Sequence, residues 1–314
     1  MNRFAKYSWL VLAYTVAVIL WGAYVRATGS GAGCGAHWPL CNGQIVPLAP
    51  QIETIIEFAH RLTSGLSGLL VLAMLIWAVR LYPKGHMVRQ GAWLSMFFML
   101  TEGLVGASLV LFEWVAHNAS LARAVATAVH FTNTLFLVTA LTLTAWWANG
   151  GPKLYWRTQK QPAWLLTIGL SGLVILGVSG AITALGDTLF PAATLTEGIQ
   201  QDFEATAHFL VQLRVWHPVL AVAIGVYLWL ISHYLSASSY GIVKQLARYL
   251  KILVAVQLLA GVVNILLLAP VWMQLIHLLL ADLVLIVFIL FAAARLGESE
   301  STAEISQLAP QMGD

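Results

Sequence analysis

Glu57-Phe58-Ala59-His60-Arg61-Leu62-Thr63-Ser64-Gly65 opens a long apolar run and sets a glutamate, a histidine and an arginine where that run begins. Ionisable residues at the entrance of a membrane helix are costly and mark function. A weaker version returns half a chain later as Arg214-Val215-Trp216-His217-Pro218. The run itself is one of eight. A span needs about 20 apolar residues, and the chain offers candidates at roughly 8–28, 60–81, 92–112, 124–147, 164–185, 208–233, 249–269 and 272–295. Of the 314 residues, 60% are hydrophobic and 9% charged, where a soluble domain carries about 25% charge. The expectation is an all-α, multi-pass membrane protein. The basic residues form no single patch, which argues against nucleic-acid binding.

Twelve of the sixteen Lys and Arg are Arg3, Lys6, Arg80, Lys84, Arg89, Lys153, Arg157, Lys160, Lys244, Arg248, Lys251 and Arg295. They share one side of the membrane only if there are eight spans and both termini are cytoplasmic. The first residues run through Arg3 and Lys6 into a span too long for a signal peptide, with no Arg- and Ser-rich transit pattern. A bacterial inner membrane is therefore expected. The remaining cations, Arg26, Arg61, Arg123 and Arg214, fall near the outer helix ends. They either snorkel or pair with an anionic ligand, and two of them lie beside a histidine.

The chain repeats itself. Gly22-Ala23-Tyr24 returns as Gly180-Ala181-Ile182, His60 as His217, Gly103-Leu104-Val105-Gly106 as Gly261-Val262-Val263-Asn264, and His130 as His277. Four helices per half make this a parallel repeat, so two pseudo-symmetric four-helix bundles are expected. The first covers residues 1–150 with an outer loop at 29–59, and the second covers 151–297. A cytoplasmic tail, 298–314, is expected to be disordered.

Five of the nine histidines have unremarkable places: His86 and His233 on the cytoplasmic side, His37 and His117 in outer loops, and His208 at a helix entrance. His60, His130, His217 and His277 all lie near the outer ends of even-numbered helices. Two imidazoles facing each other across a four-helix bundle are an axial ligand set for haem. Zinc lacks a third and fourth ligand in each half, and a proton relay needs no repeat symmetry. Haem propionates would point toward the outer arginines.

The halves are not equivalent. Glu57 precedes His60 by three residues, and Arg214 stands at the matching place before His217. Thr54-Ile55-Ile56-Glu57 also fits a helix capping box, which would explain Glu57 without chemistry. Alternatively, a carboxylate beside a haem edge moves protons during oxidation, while Arg214 holds a propionate. On that reading the first half does chemistry and the second keeps a permanent cofactor. The two cysteines, Cys34 and Cys41, share the first outer loop. A structural disulfide, a redox pair and a weaker zinc site with His37 all remain open. Glu102 and Asp282 lie inside spans, as hydrogen-bonded groups or as parts of a proton path.

Together, Glu57-x-x-His60-Arg61, the Gly-Ala-Tyr-Val-Arg-Ala-Thr-Gly-Ser-Gly of 22–31, the Cys34–Cys41 loop with its Trp-Pro, and His130, His217 and His277 resemble the haem A synthase family over roughly Trp9 to Arg295. The resemblance implies an oxidoreductase that converts a ring methyl group of haem O to a formyl group by successive hydroxylations, giving haem A for haem-copper oxidases. It implies haem b between His217 and His277, substrate haem between His60 and His130, Glu57 as the essential carboxylate, and Cys34 with Cys41 as the first-loop pair. Iron held by both His60 and His130 has no open position, so either one histidine leaves or oxidation proceeds by electron removal and water attack. The second-half loop, Phe190-Pro191-Ala192-Ala193-Thr194-Leu195-Thr196-Glu197, lacks the second cysteine pair of some relatives. The implied partners are haem O synthase (protohaem farnesyltransferase) and a membrane electron carrier such as a quinone or a ferredoxin; a homo-oligomer is compatible. The competing readings are a two-haem b-type electron-transfer protein and, last, a haem or quinol transporter.

Overall fold

A computed structural model describes residues 1–298, so the expected tail beyond Glu298 lies outside the described residues. The described chain is helical, and eight segments are long and apolar enough to cross a membrane. They are α1 (Arg3–Ala27), α2 (Ile52–Leu81), α3 (Met87–Leu111), α4 (Leu121–Ala148), α5 (Lys160–Leu189), a sixth built from two pieces, α9 (Gly241–Leu266) and α10 (Val271–Gly297). The sixth comprises α7 (Phe209–Gln212), a 3-10 turn (Leu213–Val215) and α8 (Trp216–Ser236). Its break has a local cause. Pro218 has no N–H to give the carbonyl of Arg214, so the regular ladder lapses there.

The expected spans and the observed helices coincide in number and differ at their ends. α2 begins at Ile52 rather than near His60. Glu57 and His60 therefore lie in the second and third turns, not at the entrance. The capping-box reading of Glu57 is corrected by the same fact: Gln51 is the N-cap, and Thr54 is already helical. A short helix, α6 (Leu195–Phe203), occupies the second-half loop. Thr194 caps it, its hydroxyl accepting from the Glu197 N–H at 3.2 Å.

Helix packing is ordered. α1 lies against α2 and α4, and α3 bridges α2 and α4. In the second half, α5 lies against α8 and α10, and α9 bridges those two. The seam between the groups is made by α1 and α4 against α5 and α10. Small residues permit close approach there, as is usual between membrane helices: Gly177 of α5 faces the Phe131 ring so closely that a Cβ would displace it. The core runs through both groups, with Leu137, Leu141, Leu228, Leu250, Leu285 and Phe288 almost fully buried.

Candidate active site

All four singled-out histidines lie toward the helix ends that share the disulfide loop. His60, His130, His217 and His277 sit six to nine residues inside their spans, or roughly 9–14 Å at 1.5 Å per residue. Each is half-buried. Each also meets a glycine on the neighbouring helix. A Cβ added at Gly22 would lie 3.0 Å from the His60 ring, one at Gly180 2.9 Å from His217, one at Gly261 3.2 Å from His277, and one at Gly106 3.8 Å from His130. The glycines leave the room that the imidazoles occupy. One detail of the repeat changes. The histidine-facing counterpart of Gly261 is Gly106, not Gly103, which faces open space. Gly103 and Gly106 are one turn apart on the same helical face, so sequence spacing alone could not choose between them.

The second-half pair suits a shared iron. The rings of His217 and His277 have centroids 6.3 Å apart and stand at 86°. With a metal–nitrogen bond of about 2 Å on each side, two imidazoles on one metal place their centroids about 6 Å apart. His217 Nδ1 lies 3.0 Å from the Ser179 hydroxyl, which leaves Nε2 for a ligand. The Nδ1 atoms of His60, His130 and His277 are buried without an aligned hydrogen bond. Buried polar atoms are normally satisfied, so these three ring nitrogens stand apart from His217 Nδ1, which has the Ser179 hydroxyl. Among the described residues, no cluster of three or more His, Cys, Asp or Glu is gathered to hold a bare metal ion.

Glu57 is 3% exposed and fully engaged. Its Oε2 accepts from the Cys34 backbone N–H at 2.8 Å. Its Oε1 accepts from Arg61 Nε at 3.1 Å and is also paired with Nη2. Arg61 Nη1 then donates to the carbonyls of His37 at 2.6 Å and Leu40 at 2.7 Å. Thr54 Oγ1 donates to the Gly33 carbonyl at 2.7 Å. Cys34 and Cys41 form a disulfide, so their sulfurs are not free for a zinc site with His37. The carboxylate therefore ties the disulfide loop to the helix that carries His60.

Arg214 has a different setting. It is 8% exposed. Nη1 lies 3.0 Å from Asp187 Oδ1 and Nε lies 3.0 Å from Asp202 Oδ1, and Nη1 also approaches the Phe190 carbonyl at 3.3 Å. Its charge is thus already met by two carboxylates, one on α5 and one on α6. The other two arginines bond only neutral groups. Arg26 crosses the seam, donating to the Ala184 carbonyl at 2.7 Å, Thr188 Oγ1 at 2.6 Å and Gln274 Oε1 at 2.8 Å. Arg123, 4% exposed, donates to the carbonyls of Ala116 and Asn118 at 2.6 and 2.8 Å. Neither Asp187, in the last turn of α5, nor Asp202, on α6, was singled out from sequence; both lie outside the Phe190–Glu197 stretch read for its lack of cysteine. Asp282 is 1% exposed with neither oxygen bonded, and nothing in the structure explains it.

An apolar hollow of about 590 Å³ lies between α3 and α4, lined by Val105, Ser108, Trp114, Leu121, Ala126 and Val129 among others, one residue from His130. A second, of about 410 Å³, lies at the opposite end by Phe4, Trp77 and Tyr82, away from the histidines.

Residues 5–289 match the family of cytochrome oxidase assembly proteins designated COX15-CtaA. A protein of Thermus thermophilus named Protoheme IX farnesyltransferase is 52% identical over 310 residues, 98% of this chain and 50% of that protein. The chain thus spans about half the length of the curated relatives it matches over its full extent. Proteins named Heme A synthase match shorter stretches: 48% identity over 95 residues in Shouchella clausii, 30% of this chain and 32% of that protein, and 38% over 121 residues in an Exiguobacterium, 38% and 40% respectively. With a match spanning nearly all of its membrane helices, the chain is a multi-pass membrane protein and belongs to the COX15-CtaA family of cytochrome oxidase assembly proteins.

Proposed function

We propose that this chain is a haem A synthase: an oxidoreductase of the bacterial inner membrane, with both termini cytoplasmic, that oxidises a ring methyl group of haem O to a formyl group. The observation that carries the reading is the unequal setting of two matched histidine pairs. One pair lies beside a buried carboxylate tied to a disulfide loop; the other lies beside an arginine neutralised by two aspartates. A protein that only relayed electrons between two like haems would need no such difference.

In this reading residues 1–150 and 151–297 form two four-helix units. His217 and His277 would hold haem b, which supplies one-electron chemistry when bound. The Ser179 hydroxyl orients His217, and Gly180 and Gly261 leave the imidazoles their space. His60 and His130 would hold the substrate, haem O, and set which ring edge faces the loop. Glu57 lies one turn from His60 and takes up the protons released there. Arg61 and the Cys34 N–H stabilise its charged form between turnovers, and each proton accepted weakens those two bonds and loosens the loop. Arg26 and Arg123 are the best placed to meet propionates, because no carboxylate is hydrogen-bonded to either.

The relatives named for farnesyl transfer to protohaem are twice the length of this chain, and this chain matches half of each. That arrangement supports a partnership with a haem O-producing farnesyltransferase as part of this reading. A quinone or ferredoxin would exchange electrons with the haem b.

The test is extraction and chromatography of haem from protein purified out of cells that also make haem O. Haem b together with haem O, haem A or a hydroxylated intermediate is expected. Glu57→Gln should retain haem b and lose turnover of haem O. Two equivalents of haem b alone, with haem O available, would establish the electron-transfer reading instead.

A further inference from the structure

The reading above leaves one ionisable group unused. Glu102 of α3 is half-buried and gathers three residues of α4. Its Oε2 accepts from Asn133 Nδ2 at 2.6 Å, its Oε1 accepts from the Thr134 hydroxyl, and that same oxygen lies 3.4 Å from His130 Nδ1. Residues 130, 133 and 134 lie on one face of α4 by their spacing. The scaffold continues outward. Thr101 Oγ1 donates to Asn133 Oδ1 at 2.6 Å, and Asn133 Nδ2 also donates to the Phe98 carbonyl at 2.8 Å. The carboxylate is thereby held at a fixed place against the histidine.

The second half is built otherwise. In the register that pairs Gly106 with Gly261, Glu102 falls on Gln257, whose Nε2 lies 3.3 Å from His277 Nε2. Asn133 and Thr134 fall on Leu280 and Ala281, which offer no donors. One histidine therefore faces a carboxyl group with its own support at Nδ1, and its counterpart faces an amide at Nε2.

We propose that Glu102 is a positioning residue of the substrate site, accepting the Nδ1–H of His130, so that Nε2 faces the substrate iron and His130 becomes a stronger donor than His277. This rests on the reading of the first half as the haem O site. Metal-bound histidines commonly give their second N–H to a carboxylate, which fixes the tautomer and raises ligand basicity. A more basic ligand favours the oxidised metal and lowers its reduction potential. His130 Nδ1 is buried and has no aligned partner, and the nearest carboxylate oxygen is Glu102 Oε1 at 3.4 Å.

The experiment is a redox titration, with electron paramagnetic resonance of the ferric state, on haem O-loaded protein. The signal of interest is the one abolished by His130→Ala. Glu102→Gln should raise the midpoint potential of that haem, alter its resonance, and slow haem O oxidation at least tenfold, the order seen when such outer partners are lost. The haem b signal should not move. Glu102→Asp keeps the charge but withdraws it by one methylene, so it should shift the potential the same way by less. Potentials and resonances at wild-type values in both variants would overturn the proposal and leave Glu102 a tie between α3 and α4, with the first-half reading intact. If His130→Ala abolishes no haem signal, the first-half reading fails and this proposal with it. Should Glu102→Gln not fold, an unshifted Glu102→Asp suffices to overturn the proposal.

Discussion

Two stretches of this chain read alike and fold differently. Thr54-Ile55-Ile56-Glu57 and Thr194-Leu195-Thr196-Glu197 both fit the Ser/Thr-x-x-Glu pattern of a helix start. The second is a true start: Thr194 caps α6, and Glu197 Oε2 accepts from the Ala193 N–H at 3.0 Å. The first is not. Helix α2 has already begun at Ile52, and both side chains turn to the disulfide loop instead. A pattern of local donors and acceptors says which bonds are available. It cannot say which partner tertiary structure will bring first. The same lesson scales up to the halves. A matched pair of histidines receives a carboxylate and a disulfide loop in one half, and an arginine with two aspartates in the other.

The comparison breaks most readily at the ligands. His217→Ala should abolish haem b binding, and haem O oxidation should fall by at least two orders of magnitude, as for loss of a group acting in the reaction itself. His60→Ala should abolish oxidation while haem b remains, which difference spectra of the purified variants would show. Loss of both signals in both variants would mean that the halves do not work as separate sites.

A smaller effect is expected at Arg214. Replacing it with Met strands Asp187 and Asp202, which are partly shielded from solvent. Breaking a fully buried pair costs about 3–5 kcal/mol, and partial exposure reduces that to roughly 1–3 kcal/mol. Thermal unfolding in detergent should show it, and Arg214→Met with Asp187→Asn should recover part of the loss. Glu57→Gln should cost less stability than Arg214→Met while costing far more activity.

The disulfide comes next. Cys34 and Cys41 are seven residues apart, and closing so short a loop contributes about 2 kcal/mol. Glu57, Arg61 and Thr54 hold the same loop independently. Cys34→Ser with Cys41→Ser should therefore lower stability by less than that figure and leave haem b in place. Collapse of the whole protein would show that the loop depends on the disulfide alone.

The smallest and sharpest contrast lies in the glycines. Gly180→Ala places a methyl 2.9 Å from His217, and Gly106→Ala places one 3.8 Å from His130. The first should turn the imidazole and weaken haem b binding. The second is ordinary contact and should leave the first-half histidine undisturbed in absorbance spectra.

Much was legible in advance because the bilayer leaves few options. Apolar length requires helices, so the number of spans and the spacing of His60, His130, His217 and His277 could be read directly. Helix ends were less legible. α2 extends two turns beyond its apolar run because Glu57 and Thr54 find partners in the loop, and a hydropathy window sees only their polarity. The register of α3 with α9 was misjudged by one turn, since Gly103 and Gly106 share a face. Glu102 was visible as a polar residue inside a span, but its role needed α4 beside it.

Sequence by itself determined the membrane class, the eightfold count, the internal repeat and the four histidines, because these follow from composition and periodicity along one dimension. Only the tertiary structure decided that Glu57 bonds Cys34 and Arg61, that Arg214 is neutralised while Arg26 and Arg123 are not, and that Glu102 stands against His130. Those outcomes depend on which side chains meet across helices far apart in the chain. Charge compensation and hydrogen-bond satisfaction are properties of that meeting rather than of any residue alone.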